Sequence, residues 1–335
     1  MILNVDDARC DALVLSLDGS EEKRVSVVNI PLTRFSNEKA QQLCDKLTEL
    51  LKSVGIRARG ETRKSGRLHE ERTRDTKFKN ILRILWLDVV HPVIHTLGYK
   101  VCYRKDTCAP TNTVVIEDHP EQLPRIWWCA TGSLAFLPMH AAGIYGTGAD
   151  TKLSDYAVSS YTPTLTAILD PSARTTREEF AFPTIAQPST AYATPIPSTE
   201  DGVKQVQSLA HDVNVVSLKN EETTVERTLQ EMKGTDLVHR VCHGKKDTGD
   251  PMKSGLLLHD DVLELSETVK HSFPRADFAF LSACETAVGD EKIAEESVHL
   301  AAGMFMAGYS GVIATMWAIK DKDAPQVART CIRGF

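Results

Sequence analysis

Two segments, DLVHRVCHG at 236–244 and DFAFLSACET at 277–286, decide how the chain folds. Each is a short apolar run that ends in a reactive side chain, His243 in the first and Cys284 in the second. Runs of this length and composition read as strands. Working outward, helical patterns alternate with further strands. A helix over about 200–211 (Val203, Val206, Leu209) precedes a strand at 213–218. A helix at 223–233 carries Val225, Leu229 and Met232, with Thr223 or Thr224 as its cap. A hairpin near 255–265 turns at Asp260-Asp261, and a helix follows at 266–271. A helix at 294–307 and a strand at 311–317 come last. Strands separated by helices of about ten residues predict a largely parallel sheet covered on both faces.

The first half has a different texture. Segments 11–17 and 25–32 read as strands joined by a polar turn. Leu43, Leu47, Leu50, Leu51 and Val54 recur at helical spacing after a Ser36 or Asn37 cap. Residues 57–75 are rich in Arg, Lys, Glu, Ser and Gly without an apolar period, and read as an exposed loop. A second helix carries Phe78, Ile81, Leu82, Leu85, Trp86, Val89 and Val90, and Pro92 is expected to kink or end it. Residues 100–121 read as an insertion loop. RIWWC at 125–129 reads as a strand, and LAFLPMHAA at 134–142 as a second apolar run closing a strand-turn-strand unit. Residues 156–169 read as a strand and a short helix. The Pro-, Ser- and Thr-rich character of 170–202 marks a boundary near 175.

Composition excludes several classes. The chain has 335 residues, 42% of them hydrophobic, enough for a substantial core. A net charge of -6 points to neither nucleic acid nor an anionic membrane as partner. No apolar run approaches the roughly 18–20 residues of a membrane span, and the N-terminus has no basic region before an apolar stretch. The eight cysteines are scattered and none has C-x-x-C spacing, so a reduced, cytoplasmic chain without structural zinc is expected. No Walker loop, G-x-G-x-x-G segment or G-x-S-x-G elbow occurs, so no cofactor and no serine nucleophile are expected.

In an open parallel sheet, reactive groups gather at the carboxyl ends of the strands. If the strands ending at His243 and Cys284 are neighbours, imidazole and thiol share one edge. A thiol with a pKa near 8.5 is only a few per cent thiolate at pH 7, and a nearby imidazole can take its proton and later give it to a leaving amine. Gly244 lets a substrate carbonyl approach, and the N–H groups of Gly244 and Cys284 are candidate oxyanion donors, each worth about 3–4 kcal/mol in such sites. Spacing alone leaves the competing readings open: Cys284 as a buried small hydrophobe, and His-Gly as a turn. By the period of two, His239 shares a face with Val241 and His243, and Cys242 points to the other. That opposition argues against a metal site built from His239, Cys242, His243 and Cys284.

These residues resemble the CHAT domain family. The family pattern is a strand ending in H-x-x-x-H-G, then S-G, a strand ending in S-A-C-x-T, a small-residue helix with A-G, and V-x-A-T-x-W-x-x-x-D. Here it reads His239, His243-Gly244, Ser254-Gly255, Ser282-Ala283-Cys284-Glu285-Thr286, Ala307-Gly308, Val312 to Trp317, and Asp321. RIWWCATGSLAFLPMHAAG is similar to a further family element upstream. The resemblance implies a caspase-like α/β/α fold with a mostly parallel central sheet and an N-terminal strand-and-helix region. It implies a cysteine endopeptidase with Cys284 as nucleophile, His243 as base, a protein or peptide substrate and a regulatory or signalling role. It is especially similar to fungal CHAT proteins that accompany tetratricopeptide repeats, which suggests a partner of that kind.

On this reading 1–120 is the N-terminal region, 121–175 the lead-in, and 176–335 the peptidase core, expected to be cut short after Asp321. His239, Glu285, Asp247 and Asp250 are candidates to support the site or line a pocket, with solvated or structural roles as the competing reading. The alternative for the whole chain is an inactive caspase-like interaction module.

Overall fold

The computed structural model describes residues 1–17, 25–53, 67–101, 123–146, 148, 150–162, 164–165, 183–189, 196–209, 216–245, 247, 250–271, 273–281, 294–317 and 323–332. These form two compact units, residues 1–54 with 60–165, and residues 55–59 with 166–335.

The first unit is built on a sheet of β1 (Ile2–Val5), β2 (Cys10–Leu17), β3 (Val25–Pro31), β4 (Arg125–Ala130) and the later β7. Helix α1 (Asn37–Ser53) buries Leu43, Leu47, Leu50 and Leu51, the predicted stripe. Helix α2 (Arg67–Leu85) starts well before its apolar stripe. Residues 71–77 are exposed or nearly so, and the expectation of a loop there is corrected. Arg, Lys, Glu and Leu are strong helix formers, and i,i+4 pairs such as Lys79–Asp75 (2.7 Å) need no buried face. Residues 54–66 and 102–122, which hold the rest of the two predicted loops, lie outside the described residues.

Pro92 does not end the helical run. A π-turn at Trp86–Val90, in which the His91 N–H donates to the Trp86 carbonyl, leads into α3 (His91–Thr96), with Pro92 in its first turn. Proline is accommodated there because the π-turn before it offsets the regular i to i−4 ladder. Asp88, buried in that turn, accepts from Lys39 Nζ at 2.9 Å and pairs with Arg34 Nε at 3.4 Å.

The run 134–142 is not a strand. It forms two 3-10 turns, Gly132–Phe136 and Met139–Ala141, that bury Leu134, Leu137 and Met139. Pro138 between them lacks the N–H that a sheet ladder needs. The unit closes with β5 (Gly143–Ile144), β6 (Thr151–Lys152) and β7 (Val158–Tyr161). The large sheet runs in the order β3-β2-β1-β4-β7, antiparallel among β1, β2 and β3 and parallel from β1 to β4 and from β4 to β7.

The second unit follows the predicted alternation. It comprises β8 (Thr184–Ala186), α4 (Ser198–Leu209), β9 (Ser217–Lys219), α5 (Val225–Lys233), β10 (Leu237–Val241), β11 (Gly244–Lys245), β12 (Gly255–Leu257), β13 (Val262–Glu264), α6 (Leu265–Lys270), β14 (Phe278–Leu281), α7 (Ala294–Met306), β15 (Gly311–Ala314) and α8 (Ala324–Ile332). Five strands form one parallel sheet in the order β15-β14-β10-β8-β9. Thr224 caps α5, its hydroxyl accepting from the Arg227 N–H at 3.3 Å.

The layering follows from handedness. The crossover from β8 to β9 through α4 runs one way along the sheet, and the crossovers through α5, α6 and α7 run the other way. Right-handed crossovers in opposite directions lie on opposite faces. The packing agrees: α4 meets α8, and α6 meets α7. The result is a three-layer α/β/α unit. One face buries Ile185, Leu218, Val238, Ala279 and Leu281 against Leu229, Met232 and Met304. Arg240 alternates onto that face too; its guanidinium donates to Met232 Sδ, and burial lowers its pKa. The A-G of the family pattern is the end of α7. Gly308, at φ +105°, donates to the Phe305 carbonyl, and Tyr309 N–H reaches back to Met304, closing a Schellman cap.

Candidate functional site

The order of the second sheet reverses direction at β8, which lies between β9 and β10. At such a switch point the strand ends part and leave a crevice beyond their carboxyl ends. His243 stands there, two residues past the end of β10, and is 1% exposed.

Its main chain is held from two sides. On the β8 side, the Gln187 N–H donates to the Val241 carbonyl at 2.9 Å. On the hairpin side, the Leu257 N–H donates to the His243 carbonyl at 2.8 Å. That second bond fixes the orientation of Gly244. With Leu257 bonded to His243, Gly244 and Leu256 face each other as a non-hydrogen-bonded antiparallel pair. The Gly244 N–H therefore turns away from β12. A Cβ built on Gly244 would approach nothing closer than 3.9 Å, so packing among the described residues does not demand glycine here.

Gly255 is different. A Cβ there would lie 2.2 Å from the Leu263 carbonyl oxygen, so the close approach of β12 and β13 requires glycine at 255. Ser254 Oγ accepts from the Asp247 N–H at 3.0 Å and ties the loop after Gly244 to the hairpin.

Strands β10 and β14 are neighbours, parallel, and in register from Leu237 opposite Phe278 to Arg240 opposite Leu281. In the sequence, Cys284 follows Leu281 by the same three residues by which His243 follows Arg240. Cys284 and Glu285 themselves lie outside the described residues.

Of the other predicted residues, His239, Asp247 and Asp250 lie among the described ones. His239 sits fully buried within β10, its ring stacked on Phe280 of β14 with centroids 4.8 Å apart. Burial pushes its pKa down to about 3, so it is a neutral residue inside the sheet layer. Cys242 is fully buried. Asp247 and Asp250 each give a carboxylate oxygen to a local turn: Asp247 Oδ1 accepts from the Asp250 N–H at 2.9 Å, and Asp250 Oδ1 from the Met252 N–H at 3.1 Å. Among the described residues, no group of three or more His, Cys, Asp or Glu side chains is placed to hold a metal ion, and no helix is long and apolar enough to cross a membrane.

Two polar residues at this edge are not singled out by the sequence. Gln187 is 1% exposed at the end of β8, and its Oε1 accepts from the hydroxyl of the fully buried Thr223. Gln187 opens a Pro- and Ser-containing stretch that reads as linker, and Thr223 reads as one of two helix caps. The one available signal was the position of Gln187 directly after the apolar TIA of a strand.

A family model described as CHAT domain matches residues 79–335. Among proteins of curated function, none matches the chain. Among solved structures, the chain is similar to the Arg-specific cysteine proteinase gingipain R (RgpB). That likeness has a TM-score of 0.39 at 10% identity, over 64% of this chain and 54% of that one. It is also similar to the complex of the Porphyromonas gingivalis RgpB pro- and mature domains. There the TM-score is 0.41 at 9% identity, over 86% of this chain and 65% of that one. The chain thus spans less than two thirds of either.

Proposed function

The chain belongs to the CHAT domain family, and from that premise we propose that it is a caspase-like cysteine endopeptidase with Cys284 as nucleophile and His243 as general base and acid. The observation that carries this reading is the pairing of β10 with β14. The two strands that precede the family's His-Gly and Ser-Ala-Cys segments in the sequence are parallel neighbours in register to Arg240 and Leu281.

The proposed reaction follows from ordinary acyl-transfer chemistry. His243 takes the thiol proton, and the thiolate sulfur of Cys284 attacks the scissile carbonyl carbon. The oxyanion that forms is held by the N–H of Gly244, which turns away from β12, and by the N–H of Cys284. The imidazolium then gives its proton to the leaving amine as the C–N bond breaks. Water, deprotonated by the same imidazole, hydrolyses the thioester and frees the sulfur. The substrate is a protein or peptide, and the proposed role is regulatory. A tetratricopeptide-repeat partner belongs to the proposal on the strength of the family resemblance alone.

Cleavage of a mixed peptide library, read by mass spectrometry, tests this. The wild-type chain should give defined fragments, and Cys284→Ala and His243→Ala should give none. Equal cleavage by all three, or none by any, removes the peptidase reading and leaves an interaction module.

A further inference from the structure

We infer that Gln187 and Thr223 are positioning residues for His243, acting through a closed ring of hydrogen bonds around its main chain. The inference rests on the role proposed for His243 and adds the residues that set its place.

The ring can be followed atom by atom. From Val241 the chain runs through Cys242 to His243, whose carbonyl accepts from the Leu257 N–H at 2.8 Å. From Leu257 the chain runs through Leu258 to His259, whose N–H donates to the Thr223 carbonyl at 3.0 Å. The Thr223 hydroxyl donates to Gln187 Oε1, and the Gln187 N–H returns to the Val241 carbonyl at 2.9 Å. Gln187 is held in turn, because its Nε2 donates to the Ser189 carbonyl at 2.5 Å. Thr223 is held as well: its hydroxyl proton is shared with the Asn220 carbonyl at 2.6 Å, and its N–H donates to the same carbonyl at 3.0 Å.

The ring joins three separate pieces, the end of β8, the turn before α5 and the β12–β13 hairpin. The β8 end and the hairpin each bond the main chain next to His243, and the turn before α5 holds the hairpin through His259. Beside the β8–β9 ladder, which pairs Ala186 with Lys219, the Gln187–Thr223 contact is the ring's one side chain to side chain link. Both residues are almost wholly buried, so the link is shielded from water, where a polar contact is strongest and its loss most costly. A general base must stay within hydrogen-bonding reach of the proton it moves, and a displacement near 1 Å can cost about 100-fold in rate. No substrate need touch Gln187 or Thr223 for either to set that rate.

The test compares Thr223→Val, which keeps shape and loses the hydroxyl, with Thr223→Ser, which keeps the hydroxyl, and with Gln187→Met. Two readouts are taken on each folded variant. The first is peptide turnover with its pH profile. Thr223→Val and Gln187→Met should lower kcat about tenfold or more with KM little changed and displace the limb of the pH profile that reports the imidazole, and Thr223→Ser should restore both. The second is independent of activity: hydrogen exchange at the Leu257 amide. Exchange there should quicken at least tenfold in Thr223→Val relative to Ala279 in the neighbouring strand, and not in Thr223→Ser. If Leu257 exchange is unchanged in Thr223→Val and Gln187→Met, or if Thr223→Ser is as damaged as Thr223→Val, the ring is overturned. If wild type shows no turnover while the exchange pattern appears as expected, the peptidase reading fails and the ring stands.

Discussion

His239 of β10 and Phe280 of β14 are direct partners across the sheet, and their rings stack 4.8 Å apart at an interplanar angle of 11°. The stack pins the register of the two strands that lead to His243 and Cys284. A one-residue slip would turn every side chain of a strand to the opposite face. It also places a titratable ring in a fully buried layer, where the charged form is expelled.

Acid sensitivity should follow. Burial holds the folded-state pKa of His239 at about 3, below the usual 6.5. Between those values the unfolded chain binds the extra proton, so stability rises with pH there. The contribution is complete above about pH 6.5 and is lost as pH falls toward 3. At pH 5 the loss is about 2 kcal/mol. Urea midpoints at pH 7 and pH 5 check this. His239→Leu should show a smaller difference than wild type; an equal difference would contradict it.

The two glycines flanking the His243 loop should respond oppositely. Gly255→Ala drives a Cβ to 2.2 Å from the Leu263 carbonyl oxygen and should cost about 2–3 kcal/mol, seen as a lower Tm. Gly244→Ala finds no neighbour closer than 3.9 Å and should leave Tm within about a degree of wild type. On the proposed mechanism its activity should fall about 100-fold, the added methyl hindering the approach of a substrate carbonyl to the N–H that alanine retains. Retained activity would show that this approach does not need glycine at position 244.

Asp236 and Arg275 form a forked ion pair, with the guanidinium Nε at 3.3 Å and Nη2 at 2.6 Å from the two carboxylate oxygens. The Asp236 carbonyl also accepts from the Asp277 and Phe278 N–H groups at 2.8 and 3.0 Å. The pair therefore fastens the entry of β14 to the entry of β10. The Asp236 side chain is 5% exposed and that of Arg275 35%, so removal of Arg275 strands the more deeply buried charge. Arg275→Ala should cost about 2–4 kcal/mol in denaturant unfolding, more than Asp236→Ala. Equal small losses below about 1 kcal/mol would show a pair of the ordinary surface kind.

The parallel sheet was legible because β10 and β14 are buried on both faces. Short strand-like segments such as DLVHRV and DFAFL read as parallel strands when helices of about ten residues separate them. Where stability came from elsewhere, the pattern misled. Residues 67–75 are helical through propensity and exposed charge pairs, so no apolar period marks them. The apolar run 134–142 looks like a strand, but Pro138 breaks it into 3-10 turns. Pro92 sits in a helical run because a π-turn precedes it, and nothing in the local composition announces that turn. At the site, the strand-end position of His243 could be read from the sequence. Gln187 and Thr223 could not, since they meet across 36 residues and only the fold supplies their partnership.

The central claim is that His243 governs the reactivity of Cys284, and the pH dependence of Cys284 alkylation tests it most directly. Iodoacetamide labelling of that one residue, followed by peptide mass spectrometry, gives the rate without any substrate. In wild type the rate should stay high well below pH 8.5, the ordinary value for a thiol, with its acidic limb reporting the coupled pair. In His243→Ala it should collapse to the profile of an isolated thiol, rising only toward pH 8.5. Superimposable profiles for the two proteins would contradict the account.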